Sequence, residues 1–199
     1  MNNFDEQILF FFNRTIHSDI LNPVFVFFSS KSAALLFLIF PVVLLIKGYK
    51  EKNMTLVKTV YIMLIATGLS IALTDLISSR IFKPLFHRAR PCQTISDLWF
   101  WKKGRSIWVL TDGVSSYKSS YSFVSSHASN AMGVAVLWSF FYKKWSWLFL
   151  SIALLVGISR MYLGVHYPTD VISGFILGIF IGSLCKYVVE LVIKKIAKE

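Results

Sequence analysis

The sequence predicts an all-helical, polytopic membrane bundle with about five transmembrane helices and a pair of interfacial helices at its N-terminus. Three observations carry that expectation. Of 199 residues, 55% are hydrophobic and only 16% are charged, against about 25% charged in soluble domains. The apolar residues come in blocks close to the length a bilayer core demands, not in amphipathic alternation, and mean hydropathy is +0.62. Between the blocks lie short basic segments, and 21 Lys and Arg against 10 Asp and Glu give a net charge of +11. This distribution disfavours a disordered chain and, because the basic excess sits between apolar spans, a nucleic-acid-binding domain. Cys92 follows a proline and Cys185 lies inside an apolar run, contexts that suggest neither a disulfide framework nor a metal site.

In chain order, residues 5–28 are interrupted by Arg14, His17 and Asp19 and broken at Asn22-Pro23, so they read as interfacial helix lying on the membrane. Acidic residues stand near the N-terminus where a secretory signal would be basic, and no small-residue cleavage site follows, so this segment is expected to stay on the protein. The spans are expected at 32–46, 59–82, 128–142, 147–163 and 171–193, all within one domain covering 1–199. The second should end at Lys83, because Pro84 disfavours helix at the residue before it. Lys47, Lys50, Lys52 and Lys58, then Lys143 and Lys144, then Lys194, Lys195 and Lys198 share one side, which the positive-inside tendency makes cytoplasmic. The 83–127 segment, the turn at 160–170 and the N-terminal helices then face outward.

The outer segment runs against that tendency. It carries Lys83, Arg88, Arg90, Lys102, Lys103, Arg105 and Lys118 against only Asp97 and Asp112. Charges in that place call for an anionic partner, and the neighbouring Trp99, Trp101 and Trp108 suit the head-group layer. The Ser-rich stretch 115–129 has the composition of an irregular loop leading into a helix start.

Three outward clusters hold the polar residues that lipid-facing packing does not explain. KPLFHRARP supplies Lys83 and Arg90, though a snorkelling basic flank accounts for Lys83 alone. His87 and Arg88, in the same cluster, read as solvated interfacial residues. FVSSHASN supplies Ser125, Ser126 and His127; a Ser pair opening a helix is an ordinary N-cap, and the free N–H groups of a first turn also make an anion site. SRMYLGVHYPTD supplies Arg160, His166 and Asp170. Pro168 fits the first helical position of the last span, so Asp170 falls in the first turn, where it can accept a hydrogen bond from one ring nitrogen of His166 and leave the other nucleophilic. Together the clusters supply three cations, two histidines and a carboxylate, a set suited to phosphoryl transfer. No second carboxylate cluster stands ready for Mg²⁺, so a metal-free reaction without a cofactor is expected.

Lys83, six residues, Arg90-Pro91; Ser125 and His127; Ser159-Arg160, five residues, His166, three residues, Asp170: this pattern resembles the signature motifs of the type 2 phosphatidic acid phosphatase (PAP2) and vanadium haloperoxidase superfamily. The resemblance covers about residues 75–180. It implies His166 as the nucleophile that forms a phosphohistidine, Asp170 as its orienting carboxylate and His127 as general acid. It also implies Lys83, Arg90, Arg160, the Ser125 hydroxyl and the Ser126 N–H as phosphate ligands. The family's second motif usually reads Pro-Ser-Gly-His, where this chain has Val124-Ser125-Ser126-His127, and losing Gly restricts the backbone at 126.

Asp75 sits about two helical turns before Lys83 on a similar face, as a partner for Arg80 or a site cation, or as a helix–helix hydrogen-bonding group. Compact bacterial members of the family act on lipid phosphates, which implies an inner-membrane protein with an extracytoplasmic site, the bilayer and a lipid phosphate as partners, and no obligatory protein partner. Lys102, Lys103 and Arg105 suit a large, multiply anionic head group, so lipid A 1-phosphate ranks first, with phosphatidylglycerol phosphate and undecaprenyl diphosphate close behind. A lipid phosphotransferase and a non-enzymatic anion-binding or transport protein are the alternatives.

Overall fold

The computed structural model describes residues 3–102, 104–115 and 120–196. Five long helices form the bundle: α3 (Ala34–Lys50), α4 (Met54–Ile77), α7 (Ser126–Phe141), α8 (Ser146–Tyr162) and α9 (Pro168–Ile196). They match the five expected spans in order. Among the described residues, four segments are long and apolar enough to cross a membrane, namely Lys31–Lys50, Met54–Thr94, Lys143–Tyr162 and Pro168–Lys195. The remaining helix, α7, has only 16 residues and sits at the centre, with Leu137 and Trp138 fully buried. It is screened from lipid by α4, α8 and α9, while α3 turns Leu35, Ile39, Val42, Val43 and Ile46 outward, as a lipid-facing helix must.

The tightest contact in the bundle is between α7 and α9, and small residues make it. Gly174, Gly178 and Gly182 recur every four residues along α9 and lie against Ser125, Ser129 and Gly133. A Cβ on Gly178 would stand 2.5 Å from the Ser129 carbonyl oxygen, and one on Gly182 2.5 Å from that of Gly133. Inside lipid no hydrophobic force drives helices together, so such close backbone approach supplies the packing. Polar ties add to it: Trp138 Nε1 donates to Thr67 Oγ1 at 2.9 Å, and Thr74 Oγ1 donates to Asn130 at 2.5 Å, both joining α7 to α4.

The end of the bundle that carries the motifs departs from expectation in three places. The second span does not stop at Lys83. It continues through a widened turn, Ser78–Phe82, into α5 (Lys83–Phe86) and ends at His87, which has φ 45°. The widened turn makes room for Pro84, whose ring would otherwise meet the carbonyl one turn back. The N-terminal break lies at 16–20 and not at Asn22-Pro23. α1 (Asn3–Phe10) runs on to Thr15, and α2 (Leu21–Ser29) holds Pro23 in its first turn, where the missing N–H has no helical partner to lose. These helices also do more than lie on a surface: Leu9 and Asn13 are wholly buried, and Asn13 donates to the carbonyls of Tyr162 (2.7 Å) and Trp99 (2.8 Å). Finally, the outer segment contains a short helix, α6 (Pro91–Thr94), and an antiparallel hairpin, β1 (Ser96–Lys102) with β2 (Ile107–Asp112). Leu98 and Phe100 point inward with the two-residue period of a strand, and Trp101 pairs with Trp108 across the ladder.

Candidate active site

The α7–α9 contact brings two of the three motifs together at their helix starts, and Ser125 N–H donates to the Asp170 carbonyl at 3.0 Å. Pro168 opens α9 as expected, which puts Asp170 in its first turn. Arg160 ends the buried face of α8; the chain then reverses at Gly164, with φ +68°, where a Cβ would press to 3.0 Å from the Trp99 carbonyl. Cys92 N–H donates to the Gly164 carbonyl at 3.0 Å, and that bond carries the first motif, with Arg90, alongside His166.

Arg90 is held rigidly. Its Nε donates to the Ser120 carbonyl (2.8 Å), Nη2 to Ser120 Oγ and the Tyr121 carbonyl (both 3.0 Å), and Nη1 to the Val165 carbonyl (2.8 Å). Nη1 also lies 3.0 Å from His166 Nε2. A guanidinium only donates, so Nε2 must present its lone pair and the ring proton belongs on Nδ1. Nδ1 is 3.5 Å from both Asp170 Oδ2 and Ser122 Oγ, and Ser122 donates its hydroxyl to that same Oδ2. Asp170 is fully buried and further accepts from Tyr167 N–H (2.8 Å) and Arg88 Nη1 (2.7 Å). Burial, followed by Arg90, Arg160 and Lys83, holds the His166 pKa well below its ordinary value of 6.5. A lowered pKa favours the neutral ring, so the lone pair survives into acid. Once the substrate phosphate's own ionisation near pH 6 is divided out, the acid limb of kcat/KM is expected well below pH 6.5; a residual limb at or above 6.5 would contradict this environment.

Lys83, Arg90, Ser126, His127, Arg160 and His166 line one cavity of about 740 Å³. Lys83 Nζ donates to Ser126 Oγ at 3.1 Å, and that hydroxyl pairs with Ser78 Oγ at 2.7 Å. Arg160 is tied by Nη1 to the carbonyl and hydroxyl of Ser29, while its Nε is buried without a partner among the described residues. His127 lines the same cavity and is an exposed residue. Below these groups the walls turn apolar, with Phe37, Leu64, Ala131, Val134 and Val156, down to Trp138. From His127 to Trp138 is about 16 Å along α7.

A family model for the PAP2 superfamily matches residues 60–194, well over half of the chain. The chain belongs to the PAP2 superfamily. It is 30% identical to the lipid A 4'-phosphatase of Bacteroides thetaiotaomicron over 193 residues, 94% of this chain and 78% of that one. To the lipid A 4'-phosphatase of Porphyromonas gingivalis it is 34% identical over 59% of its own length, but it spans only about half, 47%, of that relative. Among solved structures it is similar to a transmembrane PAP2 type phosphatidylglycerolphosphate phosphatase from Bacillus subtilis, with a TM-score of 0.62, 28% identity and coverage of 94% of this chain and 85% of the other. It is thus a membrane-embedded member of that superfamily.

Within this PAP2 fold most expected site residues converge, and several need correction. Asp170 stands behind His166 as expected, its Oδ2 3.5 Å from Nδ1; Ser122, missed in the sequence, bonds to that same oxygen and lies equally far from the ring. Ser125 occupies the N-cap position of α7 without capping it, and its buried hydroxyl has no partner among the described residues. Ser126 opens α7 without positive φ, so Ser in place of the family's Gly costs the backbone nothing. Arg88 is not a solvated flank: it bridges Asp5 and Asp170. Its signal was an Arg at an outward helix end, which looks the same whether solvated or paired. Asp75 lines the cavity but makes no ion pair among the described residues, with Arg80 or any other cation. Lys102 and Arg105 are exposed at the hairpin turn and do not line the cavity, and Lys103 lies outside the described residues.

Proposed function

We propose that the protein hydrolyses a phosphate monoester of a membrane lipid through a phosphohistidine on His166. The observation that carries this reading is a lone pair on buried Nε2, held by Arg90, at the wall of a cavity that is cationic at its outer end and apolar below. The phosphate seats among Lys83, Arg90 and Arg160, with Ser125 and Ser126 completing its ligands, and Arg90 Nη1 passes from Nε2 to a phosphate oxygen. Nε2 then attacks phosphorus as the bond to the ester oxygen breaks, and His127 protonates the departing alkoxide. Asp170 and Ser122 hold the Nδ1 proton and offset the charge that grows on the ring. In the second half, His127 takes a proton from water, water oxygen bonds to phosphorus, the N–P bond breaks and inorganic phosphate leaves.

The apolar branch suits one hydrocarbon chain of such a lipid. Ala131→Phe narrows it; displacing two methylenes at about 0.8 kcal/mol each should raise KM for long-chain lipid phosphates about tenfold while barely changing turnover of a short-chain, soluble phosphate. An equal effect on both would rule the branch out as a chain site.

Lipid A ranks first among substrates, since two relatives bear the name lipid A 4'-phosphatase and one of them is matched over 94% of this chain. Purified protein, with EDTA present, is offered lipid A, phosphatidylglycerol phosphate and undecaprenyl diphosphate, and product masses separate 1- from 4'-dephosphorylation. Release of inorganic phosphate distinguishes hydrolysis from transfer to another alcohol. Slowest turnover on lipid A would overturn the ranking. We assign the site to the extracytoplasmic face of a bacterial inner membrane on the lysine distribution; a cysteine placed at Arg105 should then react with an impermeant thiol reagent added outside intact spheroplasts.

A further inference from the structure

We infer that Asp5, on the N-terminal helix, is a positioning residue for the reaction, acting through Arg88 on Asp170 and so on His166; the inference rests on the phosphohistidine reading above. Asp5 is 2% exposed, and both its oxygens are used. Oδ1 accepts Thr169 N–H at 3.0 Å, and Oδ2 accepts Thr169 Oγ1 at 2.7 Å and Arg88 Nη2 at 2.6 Å. The other arm of the same guanidinium, Nη1, reaches Asp170 Oδ1 and Thr169 Oγ1, both at 2.7 Å. The Arg88 guanidinium also lies over the Tyr167 ring, 4.1 Å from its centroid.

One planar fork therefore joins two carboxylates from helices 165 residues apart in sequence. The fork is rigid, so tying one arm to Asp5 fixes where the other can point. Arg88 meets Asp170 through Oδ1 alone, which leaves Oδ2 to Ser122, the Tyr167 N–H and the Nδ1 side of His166. Without the charge on Asp5, both arms are free to close on Asp170 in the bidentate geometry that guanidinium and carboxylate favour. Oδ2 is then drawn from the histidine side, and the ring loses its hold on the Nδ1 proton as positive charge develops in the transition state. Asp5 also caps the first turn of α9 from outside that helix, accepting an N–H that has no partner within it. The phosphate-binding cations and the apolar branch are untouched, so the loss falls on kcat and not on KM.

The decisive comparison is Asp5→Asn, close in shape but without the charge that holds the Arg88 arm. Its kcat should fall between about tenfold and a hundredfold, the scale of a small misplacement of a reacting group, with KM and melting temperature near wild type, and Asp5→Glu should recover part of the loss. Arg88→Ala should lose a similar amount, and the double variant should be no slower than Arg88→Ala alone, because both changes break one connection. Unchanged kcat in Asp5→Asn, losses that add in the double variant, or kcat and melting temperature falling together without recovery by Asp5→Glu would each overturn the inference. If Asp5→Asn does not fold, Arg88→Lys keeps the charge and removes the fork; it should show the same kcat-selective loss, and wild-type kcat there would also overturn the inference. His166→Ala measured alongside keeps the two readings apart. Activity in that variant sinks the phosphohistidine reading, whereas an inactive His166→Ala with an unimpaired Asp5→Asn sinks only the role of Asp5.

Discussion

His166→Ala is expected to lower phosphate release from any lipid phosphate by at least about a thousandfold, the scale on which loss of a reacting group acts. The ring contributes little to the fold by comparison: its contacts are with Arg90 and with the Ser122–Asp170 pair, both of which keep other partners when it is gone. The variant should therefore purify with a melting temperature close to wild type and still bind phosphate among Lys83, Arg90 and Arg160. Trapping gives the sharper readout. Wild-type protein quenched during turnover of labelled lipid should carry phosphate in an acid-labile, base-stable linkage, as a phosphoramidate does, and His166→Ala should carry none. Label retained in the variant, or turnover within tenfold of wild type, would mean that another group attacks phosphorus.

Gly178→Val is expected to destabilise the protein by about 3 kcal/mol or more, at or beyond the upper end of ordinary overpacking, and to lower activity with it. The added Cβ would meet the Ser129 carbonyl oxygen at 2.5 Å, the Gly133 nitrogen at 2.8 Å and the Met132 Cβ at 2.9 Å. Two of these are backbone atoms of a buried helix, which cannot turn aside as a flexible side chain can. Relief requires α7 and α9 to separate, and His127 and His166 lie at the outer ends of that contact. Gly178→Ala should show a smaller loss in the same direction. Thermal unfolding in detergent, paired with phosphate release at permissive temperature, checks both effects. A valine variant with wild-type melting temperature and turnover would show that the α7–α9 contact does not set the site.

The bundle was legible because each span is a local property: a run of apolar residues either reaches the length of a bilayer core or does not. The motif spacing was legible for a related reason. Pro168 and Asp170 fall in one helical turn, and Lys83 and Arg90 flank one helix end, so their relation is settled within a few residues. The Gly174, Gly178 and Gly182 spacing was also present in the chain, but four-residue glycine spacing has meaning only once the facing helix is known. Pro84 misled because the rule for the residue before proline assumes an ordinary α-helical turn, and the widened turn at Ser78–Phe82 lifts that condition.

By itself the sequence determined a membrane-spanning helical fold and which cations and histidines would gather at one end of it, because apolar length and short-range spacing are written in consecutive residues. Only the tertiary structure decided the partners of those groups. Ser122 stands 48 residues from Asp170, Arg88 stands 83 residues from Asp5, and Asn13 holds the Tyr162 carbonyl across 149 residues. A buried charge or amide must find a partner wherever the fold brings one, since leaving it unpaired in a low-dielectric interior costs several kcal/mol. Sequence distance plays no part in that requirement, so the pairing that converts Arg88 from a surface charge into a link to Asp170 is a property of the folded molecule.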